Sequence, residues 1–230
     1  MTKRVKATTK RWYDDACGTA LAMELLGERW ALLVVRELMF GPRRFGELRA
    51  SLPGISANVL TQRLEGLERV GIARKRKLPP PASVQVYELT PWGYESETAL
   101  QELGRWAVRS PLHDPTLPLS AASIMMSFRT MFSAARAGDW AATIGFRMGE
   151  ETFVARIEGG ALAIARGDPE EADVIFAADP MTLVPIVYGG RPIADAEAAG
   201  TLRLEGDRRT AERFVTLFAL PPKTAAPSDE

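Results

Sequence analysis

The sequence predicts a multidomain chain, in which a mainly α-helical N-terminal domain precedes an α+β C-terminal domain with a mostly antiparallel sheet. Three features of its 230 residues indicate this division. Residues 41–78 alternate short helical patterns with Pro/Gly turns and end in a basic strand. Residues 110–120 contain three prolines and no apolar period. Beyond them, short runs that alternate apolar and polar residues are typical of strands.

The charges divide at the same place as the patterns. Residues 1–110 carry 18 Lys and Arg against 12 Asp and Glu, and residues 111–230 carry 11 against 17. A basic N-terminal unit favours contact with phosphates. We expect a DNA-binding and dimerisation domain over 1–110, a linker over 111–120, a second domain over 121–220 and a disordered tail over 221–230.

Two helices are predicted ahead of the first Gly-Pro turn. Cys17, Leu21 and Leu25 share one face of an amphipathic helix that Gly27 is expected to end. Residues 30–40 are apolar nearly all round. That pattern is typical of a helix at the centre of a domain.

A short helix over residues 45–50 and a longer one from Ser56 to Val70 follow, separated by a Pro-Gly turn. Ser56 is a favourable N-cap for the longer helix. Its apolar face holds Leu60, Leu64 and Leu67, and its polar face holds Asn58, Thr61, Gln62, Glu65 and Arg69. This pair of helices has the layout of a helix-turn-helix.

The polar face suits the reading of DNA bases. Asn and Gln side chains can form paired hydrogen bonds with adenine, and Ser or Thr can bond to a base or a phosphate. A helix N-terminus also favours an anion. We predict base contacts from Ser56, Asn58, Thr61 and Gln62. Arg63 lies nearer the apolar edge and is predicted to contact the DNA backbone.

A basic β-hairpin follows this helix. The strand over 72–78 carries four consecutive basic residues, the prolines at 79–81 force a turn, and residues 84–89 alternate as a return strand. Such a hairpin fits along phosphates or in a minor groove, as the wing of a winged helix does. The predicted phosphate contacts are Arg43, Arg44, Arg74, Lys75, Arg76 and Lys77.

A last helix of this half begins at Thr90-Pro91. Its apolar residues Trp92, Ala99, Leu103 and Trp106 are spaced for packing. Helices that flank a winged helix often form a dimer interface, and dimers read palindromic sites. We therefore expect a homodimer that binds double-stranded DNA.

Residues 17–89 resemble the HxlR-type branch of the MarR-like winged-helix regulators. The segments GERWALLVVREL, GPRRFGELR, LPGISANVLTQRLEGLERVGI and VYELTPWG carry the resemblance. It implies a dimeric transcription factor that places the helix from Ser56 in the major groove. The hairpin segment KLPPPASVQVYEL departs from the sequence usual in that family.

Cys17 has two interpretations. In the family that the chain resembles, a cysteine near this position sometimes acts as a redox or aldehyde sensor. Here Cys17 shares an apolar stripe with Leu21 and Leu25, and no cationic pair nearby would lower its pKa. We predict a buried structural thiol, while the sensor role stays open.

The C-terminal half begins with a helix and continues as strands. Ile124, Phe128, Met131 and Ala135 predict an amphipathic helix that ends at Gly138. The later segments are strands at 144–148, 153–157, 162–164 and 172–177, a helix from Asp179-Pro180, a short helix from Pro192, a strand at 201–207 and a closing helix capped by Asp207. The order predicts helices on one side of a mostly antiparallel sheet.

Part of this half resembles the sterol-carrier-protein-type lipid-binding domain. The segments ADVIFAADPMTLVPIVYGG and AAGTLRLEGDRRTAERFVTLF carry the resemblance. It implies a cavity that holds a fatty acyl or other apolar ligand. The expected lining residues are Phe128, Phe146, Phe153, Phe176, Leu183, Ile186, Leu204, Phe214 and Phe218. Apolar residues at such spacing more often form core than pocket.

The sequence offers little for catalysis. His113 is the only histidine and lies in the linker, so a His-based triad or metal cluster cannot form. No P-loop, G-x-S-x-G or G-x-G-x-x-G motif occurs. One cysteine excludes an internal disulfide, and no apolar run reaches the about 18 residues of a membrane span. We expect a cytoplasmic protein that is not an enzyme and has no cofactor, metal or membrane partner.

Three functional interpretations stay open from the sequence. The first is a DNA-binding regulator that responds to an apolar effector in its C-terminal domain. The second is a lipid-binding or protein-interaction module, in which the winged helix is only a dimerisation scaffold. The third keeps DNA binding but gives the C-terminal domain a filled core and a purely structural role.

Overall fold

The computed structural model describes residues 13–225. The N-terminal half contains α1 Gly18–Leu26, α2 Ala31–Leu38, α3 Phe45–Ser51, α4 Ala57–Arg69, β1 Ala73–Lys77, β2 Gln85–Leu89, α5 Pro91–Glu95 and α6 Glu97–Ala107. The C-terminal half contains α7 Ala121–Met131, α8 Ala134–Ala137, β3 Ala142–Met148, β4 Glu151–Glu158, β5 Ala161–Arg166, β6 Val174–Ala178, α9 Pro180–Gly189, α10 Ile193–Ala198, β7 Leu202–Gly206 and α11 Arg208–Val215. This confirms the predicted fold class.

The helix-turn-helix forms as its sequence pattern predicts. Ser56 caps α4, and its Oγ accepts a hydrogen bond of 3.2 Å from the Val59 amide. The three leucines of the apolar face, Leu60, Leu64 and Leu67, are all buried. They pack on α2, the apolar helix at the centre of this half. The polar face of α4 is thereby directed outward.

The wing is a two-stranded antiparallel hairpin of β1 and β2. Arg74 lies opposite Glu88, and Lys75 lies opposite Tyr87. Arg43, just before α3, is joined to the hairpin by a backbone bridge, because its amide and carbonyl each hydrogen-bond to Tyr87 at 2.8 Å. Main-chain hydrogen bonds therefore hold the wing and the start of α3 together.

The prediction that Cys17 is buried is wrong. Cys17 is exposed at the N-cap of α1, and Leu21 on the same stripe is 47% exposed. Only the C-terminal end of the stripe is covered, because Leu25 packs against the core, so the stripe does not enclose the thiol. Hydrogen bonds from the backbone and side chain of Thr19 lower the pKa of the Cys17 thiol.

The helix predicted to end at Gly138 ends at Met131 instead. Phe132 takes an extended conformation and pairs with Phe218, and Ser133 then caps the short α8. Nor is α7 amphipathic, because nine of its eleven residues are buried. It lies between the two halves of the chain and contacts α2, α6, β5 and α9.

The C-terminal sheet has the strand order β5-β4-β3-β6-β7, in which only β3 and β6 are parallel. The fourth strand therefore pairs with the first one rather than extending the meander. The segment that leads into β6 passes close to Gly145. A Cβ added to Gly145 would lie 2.6 Å from Cβ of Pro169. Asp173 then anchors the crossover, since its carboxylate accepts a 2.7 Å hydrogen bond from the Thr143 amide.

Phenylalanine rings fill the space between this sheet and its helices. Five rings, those of Phe128, Phe146, Phe176, Phe214 and Phe218, contact one another with centroid separations of 4.9 to 5.9 Å. Each of them is at most 3% exposed. Separations of this size are typical of packed aromatic pairs.

The apolar core continues across both halves of the chain. Phe40 of the N-terminal half meets Phe153 of β4 edge to face at 5.6 Å. The Arg129 guanidinium of α7 lies 4.4 Å from the Phe40 ring and pairs with Glu97 of α6 at 2.6 Å. Packing of this kind joins the halves into one body.

A half-buried ionic cluster accompanies this apolar contact. Arg43 Nη1 donates to Glu151 Oε2 at 2.5 Å, and Arg166 donates to the same oxygen. Nearby, the buried Glu37 accepts a 2.7 Å hydrogen bond from Ser120 Oγ. Although burial raises the pKa of Glu151, the hydrogen bonds from Arg43 and Arg166 outweigh it and hold that pKa below its usual range.

Residues 111–120 contain turns and no helix or strand. The C-terminal segment lies against them. Lys223 Nζ donates to the Ser110 carbonyl at 2.9 Å, and the Thr224 amide donates to the Arg109 carbonyl at 2.8 Å. The expected disorder of residues 221–230 stays a prediction, and residues 226–230 lie outside the described residues. The domain boundaries drawn from the sequence stay a prediction.

We predict that the Glu151 cluster makes the free energy of unfolding depend on pH in the acid range. A carboxyl with a lowered folded pKa stabilises the fold above its unfolded pKa, and this contribution is lost as the pH falls through the folded value. Glu151→Gln should therefore lose about 1–3 kcal/mol of unfolding free energy at pH 7, and should lose less stability than wild type on acidification. Urea unfolding at several pH values measures both effects.

Glu158→Gln is the matched control, because Glu158 ends the same strand and is exposed. It should change neither the unfolding free energy at pH 7 nor the acid dependence. An equal loss in both variants would contradict the role assigned to the cluster.

Candidate nucleic-acid interface

Within the described residues, the polar face of α4 presents two side-chain amides that have no hydrogen-bond partner. Ser56, Asn58, Thr61 and Gln62 are all exposed. Two of the four side chains also bond to their own helix, because Ser56 caps it and Thr61 Oγ1 donates to the Ala57 carbonyl at 3.0 Å. Among residues 13–225, Asn58 and Gln62 have no such partner. These two amides are therefore the groups most available to hydrogen-bond a base edge.

Arg63 lies at the flank of α4, as its position near the apolar edge predicts. Its side chain is 20% exposed and pairs with Glu28 at 3.1 Å. This pair fixes the guanidinium beside the loop between α1 and α2. A backbone contact to DNA by Arg63 stays a prediction.

The four basic residues of the wing fall into two pairs. Arg74 and Arg76 both bond to Glu88, with contacts of 2.6 and 2.8 Å. Lys75 and Lys77 alternate with them on β1, and both are exposed. Hydrogen bonding from Arg76 and then Arg74 holds the pKa of Glu88 below its usual range, against the effect of burial.

Sequence reasoning missed Glu88. Its signal was nevertheless present in the hairpin register, because pairing Ala73 with Leu89 places Glu88 opposite Arg74. Glu88 neutralises part of the charge that the run of four basic residues suggests. The two lysines, which have no carboxylate partner in the described chain, are the wing's free cations.

Arg43, a predicted phosphate contact, is buried rather than exposed. Its side chain is 8% exposed and is directed into the molecule, where it pairs with Glu151 and donates to Ser51 Oγ at 3.1 Å. The backbone bridge to Tyr87 sets this direction. The partner carboxylate is 108 residues away in sequence, so no local sequence pattern could predict this pair. Arg44 beside it is 56% exposed and stays a predicted phosphate contact.

The residues predicted to line an apolar ligand cavity are mostly in contact with one another. The five rings form the cluster described above, whereas Phe153 packs on Phe40 at the contact between the halves. Leu183 and Ile186 of α9 are buried, and Leu204 of β7 is half-buried. These contacts describe a filled core in this part of the domain.

Two clefts in the structure are lined by other residues. One, of about 350 Å³, lies beside the Arg129–Glu97 pair and is bordered by Gln101, Arg156 and β5. The other, of about 690 Å³, lies between the start of α3 and the C-terminal sheet, and contains Arg43, Glu151 and Arg166. Neither includes any of the nine predicted ligand residues.

Within residues 13–225, no three His, Cys, Asp or Glu side chains are grouped so that they could hold a metal ion. His113 lies 3.3 Å from Lys223, and burial together with this cation lowers the pKa of the imidazole. No helix in the same part of the chain has the length and apolar character needed to cross a membrane.

Comparisons with known proteins match the two halves separately. Residues 25–113 match the model of the HxlR-like helix-turn-helix family, and residues 130–219 match that of the SCP-2 sterol transfer family. Both resemblances seen in the sequence are thus confirmed.

Several relatives are named as transcriptional regulators. HTH-type transcriptional regulator YodB of Bacillus subtilis (strain 168) is 38% identical over 86 residues, which cover 37% of this chain and 77% of the relative. The uncharacterized HTH-type transcriptional regulator Rv3095 of Mycobacterium tuberculosis is 37% identical over 102 residues, or 44% of this chain and 63% of the relative. The solved reduced form of B. subtilis YodB is 34% identical and covers 44% of this chain and 100% of its own, with a TM-score of 0.39.

These relatives are regulators rather than enzymes. Two findings assign the family. The chain matches 77% of YodB at 38% identity, and residues 25–113 match the family model. This chain belongs to the HxlR-like helix-turn-helix family.

Proposed function

We propose that this protein is a sequence-specific DNA-binding transcriptional regulator and not an enzyme. The observation that carries the proposal is the outward polar face of α4, where the side-chain amides of Asn58 and Gln62 are exposed and have no hydrogen-bond partner within residues 13–225. A capped helix of 13 residues beside a basic hairpin fits the major groove while the hairpin follows the phosphates.

The wing supports this proposal with exposed positive charge. Lys75 and Lys77 are free of carboxylate partners in the described chain, and Arg44 extends the same basic surface near α3. Contacts of this kind hold a protein on DNA without reading its sequence. We therefore expect α4 to contact the bases and the wing to contact the DNA phosphates.

We also propose that the protein acts as a homodimer through α6. Leu100 of this helix packs against the core, whereas Leu103 is 45% exposed and Trp106 is 72% exposed. Exposed apolar side chains grouped on one helix favour association. A symmetric dimer would present two copies of α4 to a palindromic site.

The C-terminal domain is proposed to make DNA binding respond to an apolar effector. The match to the SCP-2 sterol transfer family supports a ligand. The mutual contact of the phenylalanine rings instead favours a structural role for that part of the domain. The lipid-binding module with a scaffolding winged helix is the alternative, and it requires that no DNA preference exists.

The decisive experiment is an electrophoretic mobility shift in low salt. Purified protein is titrated against the DNA upstream of its own gene and against random duplex of equal length. We expect a preference for the upstream DNA, so that random duplex competes poorly for the protein. Equal binding to both, or none, would overturn the proposal and leave the scaffold interpretation.

Gln62→Ala should relax base preference, because a good bidentate contact contributes about 1–3 kcal/mol of discrimination. The ratio of affinities for a preferred site and its single-base variants measures this. Gln101→Ala is the matched control, since Gln101 lies on α6 and bonds to Glu97 at 3.2 Å. Its affinity ratios should equal those of wild type. Unchanged ratios in Gln62→Ala would remove Gln62 from the reading face.

Replacing Lys75 and Lys77 together with alanine should weaken binding to all sequences alike. Each lost phosphate contact makes the slope of log K against log salt shallower by about 0.9, so the double variant should lose about 1.8 per protomer and about 3.6 for the proposed dimer. The lysines are chosen because their removal leaves the Glu88 pairs intact. Arg156→Ala, on the C-terminal sheet, should keep the wild-type slope, and an equal change there would contradict a specific role for the wing.

Trp106→Glu should convert the dimer into monomers, because a carboxylate cannot be buried unpaired in an apolar interface. Sedimentation equilibrium measures the mass, and mobility shift on a palindromic site measures the accompanying loss of affinity. Leu117→Glu is the control, since Leu117 is 61% exposed in the linker segment. A variant that stays dimeric would place the interface elsewhere.

A further inference from the structure

The two faces of the wing carry different cations. Arg74 and Arg76 of β1 share one face of the hairpin with Glu88 of β2, because side chains alternate along a strand and Arg74 lies opposite Glu88. Lys75 and Lys77 project from the other face. Strand geometry therefore divides the four consecutive basic residues into an arginine pair, Arg74 and Arg76, and a lysine pair, Lys75 and Lys77.

The arginine pair is held by one carboxylate. Arg74 Nε donates to Glu88 Oε1 at 2.7 Å, and Arg74 Nη2 lies 2.6 Å from the same oxygen. Arg76 donates from Nε to Glu88 Oε1 at 3.0 Å and from Nη2 to Oε2 at 2.8 Å, so its contact is bidentate. Hydrogen bonds between a guanidinium and a carboxylate in this geometry are strong. Both oxygens of Glu88 are thus occupied.

Glu88 is the buried member of this cluster, whereas both arginines are accessible. The side chain of Glu88 is 8% exposed, and those of Arg74 and Arg76 are 59% and 43% exposed. The hydrogen bond from Arg76 holds the pKa of Glu88 below its usual range, against the effect of burial. Glu88 therefore stays ionised at neutral pH and acts as a fixed counter-charge beside the two guanidinium groups.

The lysine pair has no such counter-charge. Lys75 and Lys77 are exposed, and neither is paired with a carboxylate among residues 13–225. The Lys75 ammonium lies 5.7 Å from the centroid of the Tyr87 ring, a contact that leaves its charge in place. A phosphate can approach the lysine pair directly, whereas at the arginine pair it has to displace a charged acceptor that is already bound.

We propose that Glu88 limits the affinity of the wing for DNA phosphates, by holding the arginine pair while the lysine pair makes the phosphate contacts. This narrows the phosphate contacts expected of the wing to two of its four basic residues. Replacing the Glu88 carboxylate with an uncharged side chain releases two guanidinium groups on an exposed hairpin, and each can then bind a phosphate. The inference rests on the proposed function in that the anions concerned are those of DNA.

A limited phosphate affinity favours discrimination between sequences. Phosphate contacts strengthen binding to every sequence alike, and competing non-specific sites are abundant in a genome. The contacts that discriminate are those proposed for α4, on a different element from the wing. Glu88 therefore keeps non-specific binding weak without changing the groups that read bases.

Salt titration of binding to random duplex tests the inference, because random duplex reports phosphate contacts without base reading. Glu88→Gln should bind about tenfold or more tightly than wild type at low salt. Its slope of log K against log salt should be steeper by about 1.8 per protomer, the value for two added phosphate contacts. Unchanged affinity and slope in a folded Glu88→Gln protein would overturn the inference.

Glu95→Gln is the matched control for the loss of a negative charge. Glu95 is exposed at the end of α5, the helix that contacts β2, and it is not bonded to the arginine pair. This variant should keep the wild-type slope and change the affinity by less than about threefold, because an exposed charge is screened by salt. A slope change equal to that of Glu88→Gln would assign the effect to net charge alone and reject the role of the arginine pair.

Two variants that keep Glu88 make the test independent of how well Glu88→Gln folds. Arg74→Gln/Arg76→Gln retains donors for the carboxylate and should keep the wild-type slope, whereas Lys75→Ala/Lys77→Ala should be shallower by about 1.8 per protomer. Equal losses in the two variants would show that the arginines already bind phosphates, against the inference. Adding Glu88→Gln to the arginine variant should no longer steepen the slope, and a slope that still steepens would equally count against it.

The same titrations separate this inference from the proposed function. Preference for the upstream DNA, with no effect of Glu88→Gln on random duplex, would overturn the inference and leave the proposed function. Tighter binding of Glu88→Gln to random duplex, with no preference for the upstream DNA, would do the reverse. Failure of both wild type and Glu88→Gln to bind any duplex would overturn both.

Discussion

The sharing of the Glu151 carboxylate by Arg43 and Arg166 is the interaction on which the arrangement of the two halves depends. Arg43 comes from the segment that begins the helix-turn-helix, and the other two come from the C-terminal sheet. Withdrawing three charges from water is costly unless the geometry is favourable. The cost makes the relative position of the halves specific, because any displacement that separates the partners leaves a buried charge unpaired.

Apolar packing and this cluster act at the same boundary. Phe153 illustrates the connection, since its edge-to-face contact with Phe40 joins the cores while its ring also lies under Arg166. The helix α7 continues the boundary and is buried on nearly every side. The elements proposed to contact DNA, α4 and the wing, are consequently attached to a packed body rather than to a free domain. Their exposed polar groups are positioned by contacts made on their opposite, buried faces.

The sequence predicted best what local periodicity and capping determine. The bounds of α4, its Ser56 cap and the hairpin followed from residue spacing and turn residues, and the family resemblance supported them. Long-range partners were beyond such reasoning. Arg43 looked like the equal of Arg44 because the carboxylate that draws it inward is 108 residues away. Cys17 looked buried because an apolar stripe does not reveal whether anything in the same chain covers it.

The continuous core distinguishes this chain from a protein whose domains fold independently and are joined by a linker. If either half were expressed alone, α7 and the rings around Phe40 would face water on surfaces built for burial. A modular fusion tolerates exchange of one unit for another, whereas a shared interior demands that substitutions on its two sides be compatible. Replacing the winged helix or the sterol-carrier-like half by another domain of its kind would therefore leave apolar surfaces that no longer fit each other.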